Sequence, residues 1–75
     1  MLTGDYNNII KLTGMSLPYD KVRAIKTIRT YTGLGLKESK DICDCLEQGI
    51  HKRIEVEPKE RAQCVRDLMS CGFWV

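Results

Sequence analysis

The sequence predicts an α+β fold: a two-layer sandwich in which three helices cover one face of a small three-stranded sheet. Three short segments are rich in strand-forming residues, and three longer segments carry apolar residues at helical spacing. These segments follow one another in the order β-α-α-β-α-β. Since each strand returns through a helix or a helical hairpin, one sheet with every helix on the same face is the simplest arrangement.

The first strand is predicted over Asn8–Thr13, where the alternation points Ile10 and Leu12 inward. Residues 1–7 form a polar lead-in to this strand. The stretch Gly14–Tyr19 is predicted to be a connector, because its glycine and its proline oppose regular structure.

The first helix is predicted over about Lys21–Tyr31. Asp20 suits its N-cap, since a carboxylate there accepts a backbone hydrogen bond and complements the positive helix end. Gly33 ends the helix by adopting the left-handed conformation. The inward stripe consists of Ala24, Ile28 and Tyr31.

The second helix is predicted from about Leu36 to Gln48, and Gly49 ends it. Helical spacing gives it an inward face made of Leu36, Ser39, Ile42, Cys43 and Leu46.

The second half of the chain repeats the strand and helix pattern. His51–Glu57 alternates as a half-buried strand with Ile54 and Val56 on one side. The third helix is predicted over about Pro58–Ser70, and Phe73–Val75 is predicted to be a short terminal strand. The inward face of this helix consists of Cys64, Val65, Leu68 and Cys71.

Most of the surplus positive charge lies between Lys21 and Lys40. This segment has six basic residues against one acidic residue, a net charge of +5, whereas the whole chain has +2. The rest of the chain therefore sums to −3, and we expect the basic segment to be the working surface. The six residues are Lys21, Arg23, Lys26, Arg29, Lys37 and Lys40.

A second apolar pair lies on the first helix beside its core stripe. At about 100° per residue, Val22 and Ile25 fall on an arc that also carries Lys26 and Arg29. An apolar pair surrounded by cations is typical of a protein-binding patch. The residues alone still favour the plainer interpretation that Val22 and Ile25 widen the core stripe, because apolar stripes more often pack inward than bind.

Length and composition bound the class of protein. Seventy-five residues make at most a single domain, 1–75, with little room for an enclosed catalytic cleft. No apolar run approaches the length of a membrane span, and the N-terminus lacks the features of an export signal. We therefore expect a cytoplasmic protein whose cysteines are reduced.

We predict that the protein is not an enzyme and that it holds no cofactor and no metal. No serine or cysteine in a recognisable nucleophile motif accompanies His51, so we expect an exposed histidine rather than a catalytic one. The glycines of Gly33–Gly35 follow a helix and lack the third glycine of a nucleotide fingerprint. The cysteine spacings are not those of zinc sites; the four are Cys43, Cys45, Cys64 and Cys71.

Residues 21–41, KVRAIKTIRTYTGLGLKESKD, resemble the C-terminal domain of the bacterial ribosomal stalk protein of the large subunit. That family carries a helix of the form K-V-x-V-I-K-x-V-R followed by a T-G-L-G-L-K-E-A-K-D turn and helix. Ser39 stands where the family has alanine, and Arg23 stands where it usually has a small apolar residue. At the level of fold the resemblance covers roughly Asn8–Val75, since the family has the same β-α-α-β-α-β order.

The resemblance implies a function for the basic segment. In the stalk domain the first helix and the start of the next form an exposed surface that recruits translational GTPases. This shifts the interpretation of the apolar pair from core to binding, with a translation elongation or initiation factor as the implied partner. The matching partner-binding positions are Val22, Ile25, Lys26, Arg29, Gly33, Lys37 and Lys40.

The stalk protein has a dimerisation domain and a hinge before this domain, whereas this sequence starts almost at the first strand. We therefore expect a free-standing copy of the recruiting domain, such as a phage or mobile-element protein acting as a decoy or adaptor. One alternative is an adaptor or inhibitor of a different host protein, in the transcription or proteolysis machinery. Another is weak nucleic-acid binding through the +5 segment, which is less expected because Tyr31 is assigned to the core and leaves no stacking platform.

Overall fold

A computed structural model describes residues 8–75. The predicted lead-in, residues 1–7, lies outside the described residues. In chain order the elements are β1 (Ile9–Leu12), β2 (Gly14–Met15), α1 (Lys21–Thr32), α2 (Leu36–Glu47), β3 (Lys52–Glu55), a 3₁₀ turn (Pro58–Glu60), α3 (Arg61–Cys71) and β4 (Phe73–Trp74). From Ile9 onward the fold is therefore α+β with three α-helices, as predicted.

The strands form two small antiparallel sheets, and the prediction of one three-stranded sheet is wrong in this detail. Strand β1 pairs with β3, with Ile10 opposite Ile54, and β2 pairs with β4, with Met15 opposite Phe73. Strand β2 is absent from the prediction because it has only two residues and lies inside Gly14–Tyr19, a stretch predicted to be a connector. A pattern of two residues is too short to show an alternation.

A glycine is tolerated in β2 because an aromatic ring takes the place of its side chain. A Cβ atom built on Gly14 would lie 2.6 Å from Cε3 of Trp74. The indole therefore packs directly on the glycine backbone, while its Nε1 donates a hydrogen bond to Ser16 Oγ at 3.0 Å. Trp74 packs on the sheet and still leaves 56% of its surface exposed. Glycine in a strand often marks such a close approach.

Helix α1 begins and ends as the sequence predicts. The Asp20 carboxylate accepts a hydrogen bond from the Arg23 backbone N–H at 3.1 Å, which caps the first turn. Gly33 has a φ of 75°, and its N–H donates to the Arg29 carbonyl at 2.9 Å. Both ends of the helix are thus fixed by local interactions.

Helix α2 ends in a Schellman arrangement. The Ile50 N–H donates to the Cys45 carbonyl at 2.9 Å, and the Gly49 N–H donates to the Leu46 carbonyl at 3.1 Å. Helix α3 differs slightly from its prediction, since the chain first makes the 3₁₀ turn at Pro58–Glu60 and becomes α-helical only at Arg61. Proline in the first turn is compatible with this start.

The core lies between the strands and the helices. Helix α2 packs against β2 and β3, α3 packs against β4, and α1 packs against both other helices. The predicted inward residues of the strands are buried, as are most of those of the helices. The buried side chains include Ile10, Leu12, Ala24, Ile28, Ser39, Ile42, Cys43, Leu46, Ile54, Val56, Cys64, Leu68 and Cys71.

The prediction that Leu36 lies on the inward face of α2 is wrong. Its side chain is 58% exposed. Leu36 is the first residue of α2, and the buried residues of that helix begin one turn later, at Ser39. Helical spacing gives the direction of a side chain but not whether an element packs against it there.

Within residues 8–75, every helix is too short or too polar to traverse a lipid bilayer.

Candidate partner-binding surface

The turn between α1 and α2 brings the start of α2 beside α1. After Gly33, the Leu34 N–H donates to Thr32 Oγ1 at 3.1 Å, which holds the turn close to the end of α1. Gly35 precedes α2 in an extended conformation, and its carbonyl accepts the Ser39 N–H at 3.1 Å. The short, hydrogen-bonded connection makes the two helices antiparallel neighbours, and it leaves the Leu36 side chain outside their contact.

Three aliphatic side chains from the two helices form one surface. Val22 is 78% exposed, Leu36 is 58% exposed, and Ile25 is half-buried and packs against the core cluster. Together with Lys26 and Arg29 they line a shallow depression of about 270 Å³. The sequence predicted Val22 and Ile25 for this surface, and the structure adds Leu36.

Two of the predicted cations border this depression. Lys26 and Arg29 are exposed, and neither lies within ion-pair distance of a carboxylate of residues 8–75. The same two side chains line a second depression, of about 390 Å³, with Thr30, Gly33 and Leu34. Gly33, another predicted site residue, therefore lies in a depression that adjoins the apolar one, since Lys26 and Arg29 line both.

The other two predicted cations lie apart from the depression. Lys37 is exposed on the first turn of α2 but lines neither of these depressions. Lys40 Nζ forms an ion pair with Asp44 Oδ2 at 3.0 Å, one helical turn along α2. Its ammonium is thus already engaged with a neighbouring carboxylate.

Lys21 is also paired, and this corrects the charge count made along the chain. Its ammonium forms ion pairs with Asp44 and, at 3.1 Å, with Glu47 Oε2. Both carboxylates lie on α2 beyond the end of the basic segment, so a count confined to residues 21–40 omitted them. The positive charge available to a partner is therefore smaller than +5. Of the cations without an ion pair within residues 8–75, Lys26 and Arg29 are the two that line the apolar depression.

These ion pairs belong to a polar cluster that joins α1 to α2. Tyr19 donates a hydrogen bond from its hydroxyl to Glu47, next to the Lys21 ammonium. The hydrogen bonds from Lys21 and Lys40 lower the pKa of Asp44. The hydrogen bond from Tyr19, followed by that from Lys21, lowers the pKa of Glu47. Both shifts mean that the charged carboxylates are the forms that the folded protein stabilises.

On its other flank, α1 is fixed to α3 by a tyrosine. The Tyr31 hydroxyl donates to Asp67, and this hydrogen bond, with a smaller contribution from burial, raises the pKa of Tyr31 to about 12. Arg23, one of the departures from the family pattern, donates from Nη2 to Ser70 Oγ on α3 at 3.1 Å. The exposed aliphatic surface therefore lies between two flanks that are bonded to neighbouring helices.

The cysteines take no part in this surface. Cys43, Cys64 and Cys71 are buried, and Cys45 is half-buried. Burial raises the pKa of the Cys43 and Cys64 thiols to about 11, which keeps them protonated and poorly nucleophilic at neutral pH. Within residues 8–75, His, Cys, Asp and Glu side chains form no group of three that is suited to a metal ion.

Comparison with protein families gives a match along most of the chain. The profile described as "Ribosomal protein L7/L12 C-terminal domain" matches residues 9–72. The match includes β1, α1, α2, β3 and α3, and hence the whole candidate surface.

Several curated proteins named "Large ribosomal subunit protein bL12" are similar to this chain. That of Fusobacterium nucleatum is 39% identical over 53 residues, which are 71% of this chain and 40% of the relative. That of Cupriavidus pinatubonensis is 35% identical over 63 residues, 79% of this chain and 48% of the relative. The aligned region thus spans less than half the length of these relatives. No solved structure matches the chain significantly.

Proposed function

The chain belongs to the ribosomal protein L7/L12 C-terminal domain family, and from this premise we propose that it binds a translational GTPase through α1 and the start of α2. The contact consists of Val22, Ile25 and Leu36 at the centre and Lys26 and Arg29 at the border. The family is one of binding domains rather than enzymes. The proposed partner is an elongation or initiation factor with an acidic, partly apolar docking face.

The observation that carries the proposal is the exposure of aliphatic side chains in one place. Val22 and Leu36 come from different helices and line the same depression, with the half-buried Ile25 between the core and the surface. Aliphatic contact supplies affinity at the centre of an interface, and uncompensated cations at its edge favour an acidic partner and accelerate association. Lys37 and Lys40 lie further out on α2 and contribute to the long-range field rather than to close contact.

The test is a titration of purified elongation and initiation factors with the wild-type chain and with Val22→Asp. Because Val22 is exposed, the substitution leaves the fold intact, but it places a carboxylate in the desolvated centre of the contact. We expect the affinity to fall by at least about 2 kcal/mol, or roughly 30-fold in Kd. Isothermal titration calorimetry measures this difference directly. Ile25→Asp and Leu36→Asp are expected to have effects of the same sign.

The matched control is Met69→Asp. Met69 is 60% exposed, lies on α3 and does not line the depression. This variant carries the same new charge at a similarly exposed apolar position, and we expect its affinity to equal that of the wild type. If no purified factor binds the wild-type chain, or if Val22→Asp and Met69→Asp lose affinity equally, the proposed surface is wrong.

We propose further that the protein is a decoy or adaptor of a phage or another mobile element. It would act in the cytoplasm, where the translation factors act. A separate chain that occupies a factor's docking site competes with the ribosomal stalk for it. An excess of the wild-type chain is therefore expected to inhibit a reconstituted translation reaction, and an excess of Val22→Asp is not. Affinity capture followed by mass spectrometry distinguishes this from binding to transcription or proteolysis components.

A further inference from the structure

A second basic surface lies on the strands, where no count along the chain would find it. The side chains of Lys11, His51, Lys52 and Arg53 line a shallow depression of about 520 Å³. Lys11 belongs to β1 and the other three belong to β3 or the residue before it, so about forty positions separate its two halves in the sequence. The pairing of the two strands brings them together.

The strand register places two permanent cations directly opposite each other. Lys11 pairs with Arg53, and at the end of the ladder Leu12 pairs with Lys52. Directly opposite side chains have Cβ atoms only about 5 Å apart, and like charges in such a pair are destabilising. Glu55 shares the outward face of β3 with Arg53, yet no carboxylate of residues 8–75 lies within ion-pair distance of these three cations.

This surface is separate from the one on α1. In β1 and β3 the alternate residues Ile10, Leu12 and Ile54 are buried, whereas Lys11 and Arg53 are exposed. Lys52, at the end of the ladder opposite Leu12, is half-buried but still lines the depression. Since α2 packs against β3 and the buried residues belong to the core, the exposed residues point away from the helical layer. Two faces of the molecule thus carry cations that lie outside ion-pair distance of every carboxylate of residues 8–75.

We infer that the strand surface binds the phosphate backbone of a nucleic-acid duplex. Its lining side chains are three cations and the imidazole of His51, with no aliphatic side chain and no Phe, Tyr or Trp among them. A protein interface needs an apolar centre, as the α1 surface has, and a single-stranded nucleic acid needs aromatic side chains on which bases stack. A duplex backbone needs only cations, and contacts to it carry no sequence information. Tyr31 and residues 21–40, on which the expectation against nucleic acid rests, are not part of this surface.

The test uses fluorescence anisotropy with a short fluorescein-labelled DNA duplex of mixed sequence, at several salt concentrations. Three phosphate contacts predict that log K falls against log salt concentration with a slope of about −2.7. The variants Lys11→Gln and Arg53→Gln are each expected to reduce the size of the slope by about 0.9. Arg66→Gln is the matched control, since it removes one exposed cation from α3 outside the depression, and its slope is expected to equal that of the wild type.

Four outcomes overturn the inference. A flat titration at about 50 mM salt excludes duplex binding of the kind expected for surface phosphate contacts. An equal effect of Arg66→Gln shows that only net charge matters. A slope that falls with Arg29→Gln but not with Arg53→Gln places the phosphates on α1. Displacement of the duplex by polyglutamate at the same charge concentration shows a general anion surface with no preference for phosphate. Circular dichroism of each variant establishes that it is folded.

Discussion

Helix α1 has two apolar sides with opposite environments. On one side Ala24 and Ile28 have no accessible surface, and on the other Val22 is 78% exposed. Around the helix axis Val22 lies about 120° from Ile28, with the half-buried Ile25 between them. All three residues are aliphatic, so residue type does not separate the two sides. What separates them is which side faces the neighbouring helices. An apolar residue beside a core stripe is thus available to a partner when no other element of the fold covers it.

The first prediction sharpens this comparison through stability and has the largest expected effect. Ile28→Ala removes fully buried methyl and methylene groups and is expected to lower the free energy of unfolding by about 2–5 kcal/mol. Val22→Ala removes a similar amount of apolar surface that is already in water, and its effect is expected to stay within about 0.5 kcal/mol. Urea unfolding followed by circular dichroism measures both. Equal losses in the two variants would show that Val22 is covered in solution.

The second prediction concerns the same two kinds of environment on α2, where Ser39 is buried and Leu36 is not. The Ser39 hydroxyl has no hydrogen-bond partner among residues 8–75, and it stands where the family pattern has alanine. Ser39→Ala removes the desolvated hydroxyl and improves helix propensity, so it is expected to raise the free energy of unfolding by about 1 kcal/mol. The measurement is the urea midpoint at constant m-value. A loss of stability would show that the hydroxyl has a partner in the folded protein.

The third prediction concerns the polar cluster that holds α1 against α2, and the expected effect is the smallest. Hydrogen bonds from Lys21 and Lys40 lower the pKa of Asp44 in the folded protein, and hydrogen bonds from Tyr19 and Lys21 lower the pKa of Glu47. Their contribution to stability is therefore fully present above the unfolded pKa values of about 4 and is lost as the pH falls through the folded pKa values. Asp44→Asn is expected to destabilise at pH 7 and to have a smaller effect at about pH 3.

The matched control for this prediction is Asp41→Asn, which removes an exposed carboxylate from the same helix that has no ion pair within residues 8–75. Its effect on the free energy of unfolding is expected to be small and to be the same at both pH values. If the stability difference between wild type and Asp44→Asn is the same at both pH values, the cluster does not contribute through charge.

The helices could be predicted from the sequence because their signals are local. Asp20, Gly33 and Gly49 act within one turn of the helix ends, and the apolar spacing of α1 and α3 gives their buried faces directly. The second sheet could not be predicted, because β2 and β4 have two residues each and recognise each other across some sixty positions of sequence. The packing of Trp74 on Gly14 leaves no trace in either local pattern.

The candidate site was predicted in part for the same reason. Val22, Ile25, Lys26 and Arg29 follow from the phase of one helix and from the family resemblance. Leu36 was assigned inward because spacing alone does not show where the packing of α2 begins. The pairing of Lys21 with Asp44 depends on how α1 and α2 pack together, and a count of charges along the chain carries no information about that packing. The pattern of residues therefore predicts the helices and the longer strands, but it does not predict the contacts between them.

The central claim is that the exposed side of α1, and not another surface, meets the partner. Methyl NMR of the chain with and without an elongation factor tests it most directly, since it observes each side of the helix separately. We predict that the methyl signals of Val22, Ile25 and Leu36 shift or broaden on binding, while those of Ile28, Leu68 and Met69 stay unchanged. Changes confined to Met69 or to the residues of β1, with the Val22 and Leu36 signals unmoved, would contradict the account.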